Sequence, residues 1–284
     1  MQYLTKSILK QVYPKRNPWV HKGMFGRLLA ITGSERYTGS PIFVGLAAYR
    51  AGCDLVYLVG PKRAMDISSF YSPELISKPL EGKYLEEKHV REILLLIDEI
   101  KPDVIVIGPS LWRTQPTRKA IVRLIEQIDL PMVIDADAIR AISAEREILK
   151  NKTALLLPHD NEFFELTGVK ASRTSLNDRI KIVVTQSQLL NTTILLKGHI
   201  DIISNGEKTI LNKTGSVYMT KGGCGDTLAG ICGALLAKKI DTFTAACAGS
   251  YINGLAGELA AKKYGEGLLP TDLIEEIPRA IKEK

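Results

Sequence analysis

Aromatic side chains are scarce, 6% of 284 residues, and two of them are tryptophan. That scarcity argues against the stacking platforms on which single-stranded nucleic acids lie. Cysteine is scarce too, with four at Cys53, Cys224, Cys232 and Cys247. No pair has C-x-x-C spacing and no histidine cluster accompanies them, which argues against a zinc site. Their apolar or glycine-rich surroundings read as buried thiols in a reducing compartment. Blocks of like charge are missing: Lys and Arg exceed Asp and Glu by 38 to 31, a formal charge of +7 spread along the chain. Such a surplus fits small anionic ligands, and equally lysines that keep the surface solvated. No apolar run reaches membrane-spanning length. The stretch MQYLTKSILKQVYPKRNPWVHKG has neither the apolar core nor the small-residue cleavage site of a signal peptide. A cytoplasmic protein with no membrane or nucleic-acid partner is expected. Repeats, low-complexity tracts and Ser/Gly/Pro-rich linkers are also lacking. With 45% hydrophobic residues, the economical expectation is one domain over residues 1–284.

What is present is a regular alternation. Short apolar runs predict strands at Gly26–Gly33, Leu55–Val59, Val104–Ile107, Pro131–Ile134, Ala154–Leu157 and Thr193–Leu196. Helices are predicted between them, including Pro41–Tyr49, Glu86–Ile100, Thr114–Ile128, a stretch from Ala138 to about Lys150, and Ser175–Leu189. Two β runs near Ile200–Ser204 and Lys208–Leu211 flank Asn205-Gly206, a hairpin turn signal. Long helices are expected over Asp241–Lys263 and from Leu268 to the end, the latter capped by Thr271 and Asp272. Lys62–Ser77 gives mixed signals and no clear element. This alternation implies an α/β fold, a mostly parallel central sheet with helices on both faces.

The distinctive stretch is Asn212–Leu236, NKTGSVYMTKGGCGDTLAGICGALL. A loop, Lys221-Gly222-Gly223-Cys224-Gly225-Asp226, runs into apolar Thr227–Ala237, with Leu228, Ile231, Leu235 and Leu236 at helical spacing. Glycines let a backbone approach a ligand closely, and amides at a helix start attract an anion. A carboxylate there would repel a phosphate. As a base beside one, Asp226 could take a proton from an attacking hydroxyl. The same pattern also suits a tight turn with an acidic N-cap.

Other polar clusters follow strands: SERYTGS after the first, then GPS, DADA, PHDNE and KGHID. In such sheets ligands gather beyond the carboxyl ends of the strands. Each cluster alone could be an ordinary turn, His159 a structural histidine, Asp135 and Asp137 helix caps, and Tyr37 a surface residue. Falling together on one edge, they point to a nucleotide site with a second ligand beside it.

On these residues the chain resembles the ADP/ATP-dependent NAD(P)H-hydrate dehydratases, a branch of the ribokinase-like superfamily. The resemblance runs from Lys22 to Leu259, through KGMFGRLLAITGSERYTGSP, IGPSLW, VIDADAI, LLPHDNEF, LLKGHID and KGGCGDTLAG. The last is shared in outline across the superfamily, whereas the GSxxYxG, DADA and PHxxE segments narrow it to the dehydratases.

The resemblance implies repair of NADH or NADPH whose ring has taken up water. ADP, or alternatively ATP, phosphorylates the ring hydroxyl of the S-epimer, and loss of phosphate follows. Hydroxide is a poor leaving group and phosphate a good one. By this resemblance Asp226 is the base and a substrate contact. Gly222, Gly223, Cys224 and Gly225 form the anion cradle. Lys197, Gly198, His199, Ile200 and Asp201, with Ser216, Thr220 and Lys221, belong to the nucleotide segments. Ser40, Ser110 and Trp112, with Pro158, His159, Asp160, Asn161 and Glu162, match the segments around the hydrate. Glu162 also matches an acid of the Mg2+–phosphate network, acting through water, and Asp135 belongs to the same network. A homo-oligomer, a tetramer by family habit, and an epimerase on a separate chain are also implied.

The chain departs from the family pattern in places. Ser40 stands where Ala is usual. Gly108-Pro109-Ser110-Leu111-Trp112 replaces GPGLG. Cys224 replaces a residue such as Thr or Gln. Trp112 either stacks on a ring, narrows the site, or packs at the surface. Two other readings compete. One is a ribokinase-like kinase for a vitamin-precursor alcohol such as hydroxyethylthiazole, which the PHDNE and DADA segments oppose. The other is a nucleotide-binding regulator without turnover, which would gain nothing from Asp226.

Overall fold

The computed structural model describes residues 2–172 and 174–282. After a short helix α1 (Ser7–Val12), strands and helices alternate. They are β1 (Arg27–Ile31), α2 (Ser40–Arg50), β2 (Leu55–Pro61), α3 (Lys62–Tyr71), β3 (Ile76–Leu80), α4 (Val90–Ile100) and β4 (Val104–Ile107). Then come α5 (Gln115–Gln127), β5 (Met132–Ile134), α6 (Asp137–Ala141), β6 (Ala154–Leu156), α7 (Asp160–Thr167), α8 (Leu176–Leu190) and β7 (Thr193–Leu196). The hairpin β8 (Asp201–Ser204) and β9 (Thr209–Asn212) precedes three closing helices, α9 (Cys224–Ala237), α10 (Thr242–Tyr264) and α11 (Pro270–Lys282).

The strands form one sheet in the order β3-β2-β1-β4-β5-β6-β7-β8-β9. Every pair from β3 through β7 is parallel, and the two hairpin pairings are antiparallel. The expected mostly parallel sheet is therefore observed. Strand order reverses at β1, whose neighbours are β2 and β4. The crevice between the carboxyl ends of β1 and β4 is thus a topological switch point.

Central strands are apolar on both faces because both faces are covered. Alternate side chains supply two cores. Leu28, Ala30, Val104, Val106 and Val133 face one cluster with α2, α9, α10 and α11. Leu29, Ile31, Ile105, Ile107 and Ile134 face the other, with residues of α4, α5, α7 and α8. Helix α9 packs close to the sheet, and small residues permit it. A Cβ at Gly233 would lie 2.6 Å from both Leu28 Cδ1 and Val106 Cγ2, and one at Gly230 would lie 2.2 Å from the Val44 carbonyl oxygen.

Several expected boundaries shift. Lys62–Tyr71 is a helix and Ile76–Leu80 an edge strand, both unread in the sequence. The helix expected to reach Lys150 stops at Ala141, and a 3-10 turn covers Arg146–Asn151. Helix α7 begins at Asp160, where the His159 ring caps it. The last helix begins at Pro270, with Asp272 accepting from the Leu269 amide at 2.8 Å, and its expected final residues lie outside the described ones. All four cysteines are free and buried. No described helix is long and apolar enough to cross a membrane.

Candidate active site

The loops after β1, β4, β5, β6 and β7 meet at the switch point. Pro109 fixes the first two together: its carbonyl accepts from Thr32 Oγ1 at 2.7 Å and from the Gly33 amide at 3.1 Å. Gly108 allows β5 to pass close, since a Cβ there would lie 1.8 Å from the Asp135 carbonyl oxygen. A cavity of about 460 Å³ opens above this junction. Of the expected residues, Ser110, Trp112, His159, Glu162 and Asp226 line it.

Asp226 enters from the first turn of α9. The turn before it is set by Gly223, at φ 107°, where a Cβ would meet the Phe43 ring at 2.7 Å and Pro270 at 2.9 Å. Among the described residues, no backbone bond takes up the Gly225 and Asp226 amides, as is usual at a helix start. The Asp226 side chain is half-buried, and Ser40 donates to its Oδ2 at 2.5 Å. Burial pushes its carboxyl up to about 6; the Ser40 bond lowers it, Asp135 raises it, Lys197 lowers it and Asp137 raises it.

Lys197, just after β7, is the cation beside the glycine loop. Its Nζ donates to Asp135 Oδ1 at 2.8 Å and lies 4.0 Å from Glu162 Oε2. Burial works against its charge, but Asp135 and Glu162 more than offset that and hold the ammonium above its usual range. A Cβ at Gly225 would lie 3.6 Å from this nitrogen, so the lysine flanks the glycine loop. An anion at the loop would meet both the amides and the ammonium.

Several other expected residues are occupied structurally. His159 Nδ1 accepts from the Asn161 and Glu162 amides at 3.1 and 3.2 Å, while Glu162 Oε2 accepts from the His159 amide at 3.0 Å, a reciprocal cap. The His159 Nε2 edge sits 3.2 Å from Glu162 Oε1. Pro158 is buried, and its carbonyl accepts from the Lys197 amide. Asp160 pairs with Arg179, and Asn161 is exposed. Ser40 is buried behind Asp226 and does not line the cavity.

On the nucleotide side, Asp201 is turned inward. It accepts from the Gly198 amide at 2.9 Å and from Ser250 Oγ at 2.6 Å, so it fixes the loop that carries Gly198, His199 and Ile200. Ser216 caps a 3-10 turn by accepting from the Tyr218 amide, Thr220 donates to the Val217 carbonyl, and Lys221 donates to the Glu266 carbonyl. Gly222 faces open space, with nothing within 4 Å of a Cβ built there. The Cys224 thiol is pushed up by burial to about 11, so the side chain is a neutral filler.

Some residues went unread in the sequence. Arg140 and Arg113 line the cavity. Arg140 Nη1 lies 3.2 Å from Glu162 and 3.7 Å from Asp137. Its signal was present: it stands one turn beyond Asp137 on the helix that DADA opens. Trp112 belongs to an aromatic cluster on the cavity wall. Its ring stacks on Tyr84 (centroids 6.1 Å, 15°), meets Tyr37 at 5.7 Å, and lies beneath the Arg36 guanidinium.

Strain also collects here. Among the described residues, non-glycine residues at positive φ are Lys101, Ser110, Trp112, Ala136, Asn191 and Lys239. Lys101 and Asn191 end helices α4 and α8, and Lys239 follows α9. Ser110 and Trp112 have no such duty, Ala136 precedes the first turn of α6, and all three line the cavity. Backbone strain of this kind persists where the surroundings over-determine it, and it clusters at functional sites.

For magnesium the fit is partial. No group of three His, Cys, Asp or Glu side chains able to hold a metal occurs among the described residues. Both oxygens of Glu162 already have partners. The residues therefore fit an ion that keeps its water and is carried by phosphate oxygens.

The sequence profile of the NAD(P)H-hydrate dehydratases matches residues 28–279. A bifunctional NAD(P)H-hydrate repair enzyme from Pyrobaculum aerophilum is 40% identical over 263 residues, 92% of this chain and 51% of that protein. The chain thus spans about half the length of such relatives. An ADP-dependent (S)-NAD(P)H-hydrate dehydratase from Nitrosopumilus maritimus is 36% identical over 282 residues, 98% of this chain and 96% of that one. Among solved structures, an ADP/ATP-dependent NAD(P)H-hydrate dehydratase from Bacillus subtilis, co-crystallized with ATP and Mg2+, superposes with TM-score 0.81 at 25% identity. It covers 99% of this chain and 98% of that one.

Proposed function

The chain belongs to the NAD(P)H-hydrate dehydratase family, and from that membership we propose that it dehydrates the S-epimer of NAD(P)H hydrate at the expense of ADP or, less favourably, ATP. The observation that carries this reading is the Asp226 carboxyl. It lines the cavity at the start of α9, beside the loop amides, with Lys197 at their flank.

In the proposed reaction the hydrate's ring hydroxyl lies against Asp226. The carboxylate takes the hydroxyl proton as the oxygen attacks the nucleotide's terminal phosphorus, and the bond to the departing nucleotide breaks. The glycine-loop amides and Lys197 hold the charge that builds on the phosphoryl oxygens. Phosphate then leaves the ring carbon while the neighbouring carbon loses a proton, which restores the double bond. Magnesium, when bound with the nucleotide, neutralises phosphate charge. Glu162 and Asp135 face that region as outer carboxylates, and Arg140 and Lys197 hold them in place. Trp112, Tyr37 and Arg113 form the wall for the rest of the dinucleotide. His159 and Pro158 through Glu162 shape its floor as a capped helix start. Lys197, Gly198, His199, Ile200, Ser216, Thr220 and Lys221 edge the nucleotide, with Asp201 fixing their loop.

The reading extends to one ribokinase-like domain, a cytoplasmic location, a homo-oligomer of tetrameric type and a separate epimerase activity. Free, buried cysteines support the location, and the (S) designation of the Nitrosopumilus maritimus relative supports the epimerase.

The test is regeneration of NADH from its hydrate, with magnesium and either ADP or ATP, followed by near-ultraviolet absorbance. Recovery that needs nucleotide and vanishes in Asp226→Asn is expected. Nucleotide consumption with a thiazole or pyrimidine alcohol, and none with the hydrate, would sink this reading in favour of a vitamin kinase.

A further inference from the structure

Two hydroxyls stand in line behind Asp226. Ser40 is the first residue of α2 and is 7% exposed. Its Oγ lies 2.5 Å from Asp226 Oδ2 and 2.7 Å from Ser110 Oγ. A hydroxyl has one proton to donate. Ser40 gives its proton to the carboxylate, so Ser110 must donate to Ser40. Both hydroxyls therefore point the same way, from the cavity wall to Ser110, to Ser40, to Asp226.

The backbone is bent to make this line. Ser110 is held at φ 57°, in the left-handed region that disfavours a side chain. The clamp is Pro109, whose carbonyl is bound twice by the end of β1. A glycine would occupy this position without strain. What serine adds there is the hydroxyl.

We propose that Ser110 and Ser40 form a two-hydroxyl relay that pins one oxygen of the Asp226 carboxylate, leaves the other to the cavity, and stabilises the ionised form. Both are positioning residues, and the proposal rests on reading Asp226 as the base. Asp226 is faced by Asp135 from the end of β5, Asp137 from α6, Lys197 from the end of β7 and the Cys224 thiol of its own helix. Two carboxylates favour a proton on Asp226, and one ammonium opposes it. In that balance the relay supplies donors to the charged form, and chained hydroxyls strengthen one another's donation.

The test compares Ser40→Ala, Ser110→Ala and Ser110→Gly with the parent chain. Two readouts are used: the pH dependence of kcat, and titration of the Asp226 carboxyl carbon by NMR with labelled aspartate. The midpoint of the acid limb is expected to rise by about one pH unit in Ser40→Ala, about a tenfold loss of rate on that limb, and by less in Ser110→Ala. Ser110→Gly should match Ser110→Ala in pH midpoint while melting at higher temperature, which separates the hydroxyl from the strain. A carbon midpoint that stays at the parent value in both alanine variants overturns the relay. If the carbon midpoint moves but no variant, and not the parent, regenerates NADH, the relay stands and the dehydratase reading fails.

Discussion

Lys197 Nζ donates to Asp135 Oδ1 across 2.8 Å, joining the carboxyl end of β7 to that of β5 over the intervening β6. Asp135 is 1% exposed, so this ammonium is what makes a carboxylate tolerable there. The lysine's proton affinity is raised in the fold. A raised group contributes stability that is present below its unfolded pKa and is lost as pH rises through the folded one. That window lies above the ordinary lysine range, so the pair is intact throughout neutral pH.

Lys197→Met should therefore cost about 3 kcal/mol, because it strands a buried carboxylate. The loss should be larger at pH 9 than at pH 6, read from denaturant midpoints, because without the ammonium the Asp226 carboxyl, at about 6 in the parent, rises and takes up a proton at the lower pH. Nucleotide affinity should fall as well, read by calorimetry. An unchanged midpoint would mean that Asp135 finds another donor.

Asp226→Asn should lower turnover by about 10²–10⁴, the range ascribed to a positioned proton acceptor. Nucleotide affinity should hold or improve, since the carboxylate repels phosphate. Retained turnover would remove Asp226 from the role of base.

The same substitution should stabilise the fold at pH 8. Burial raises the Asp226 carboxyl to about 6. For a raised acid, the native state favours the proton, so stability is full at low pH and falls as pH rises through about 6. Keeping the ionised form costs the native state up to roughly 3 kcal/mol at pH 8. Asn carries no such charge. The gain in melting temperature over the parent should be large at pH 8 and small at pH 4, and a gain independent of pH would refute the assignment.

Adjacent glycines should separate folding from binding. Gly223→Ala places a Cβ against Phe43 and Pro270 at a positive φ, and should cost about 1–3 kcal/mol. Gly222→Ala meets nothing within 4 Å. It should leave the melting temperature in place while weakening nucleotide binding, because its methyl points into the space an anion would use. Equal effects on melting would contradict the geometry.

The sequence carried most of this arrangement through topology. The polar clusters SERYTGS, GPS, DADA, PHDNE and KGHID could be placed on one edge because each follows a parallel strand. The α3–β3 pair was hidden by proline. Gly60-Pro61 reads as a stop, yet β2 continues through Pro61, and Pro79 sits in β3, an edge strand where a missing amide is harmless. Individual roles were less legible. The family resemblance sets His159 against the ligand, and its ring is also a helix cap. The resemblance sets Ser40 there as well, whereas it lies one layer behind, under Asp226. Arg140 is legible as a position one turn beyond Asp137, but its pairing with Glu162 is not, because that residue is distant in sequence and adjacent only once β5 and β6 pair. Side-chain direction is decided by packing, and spacing along the chain does not encode it.

The hairpin has a consequence of parity. Strand β8 carries the chain away from the active edge and β9 brings it back, so two reversals cancel and the glycine loop is delivered to the same rim as the crossover loops. The turn at Asn205-Gly206 is left at the opposite rim, a full strand length from the chemistry. On that far rim the exposed Glu207 and Lys208, and not Gly206, which is buried against Gln188, are thus where a fused peptide or reporter would stay clear of the active edge.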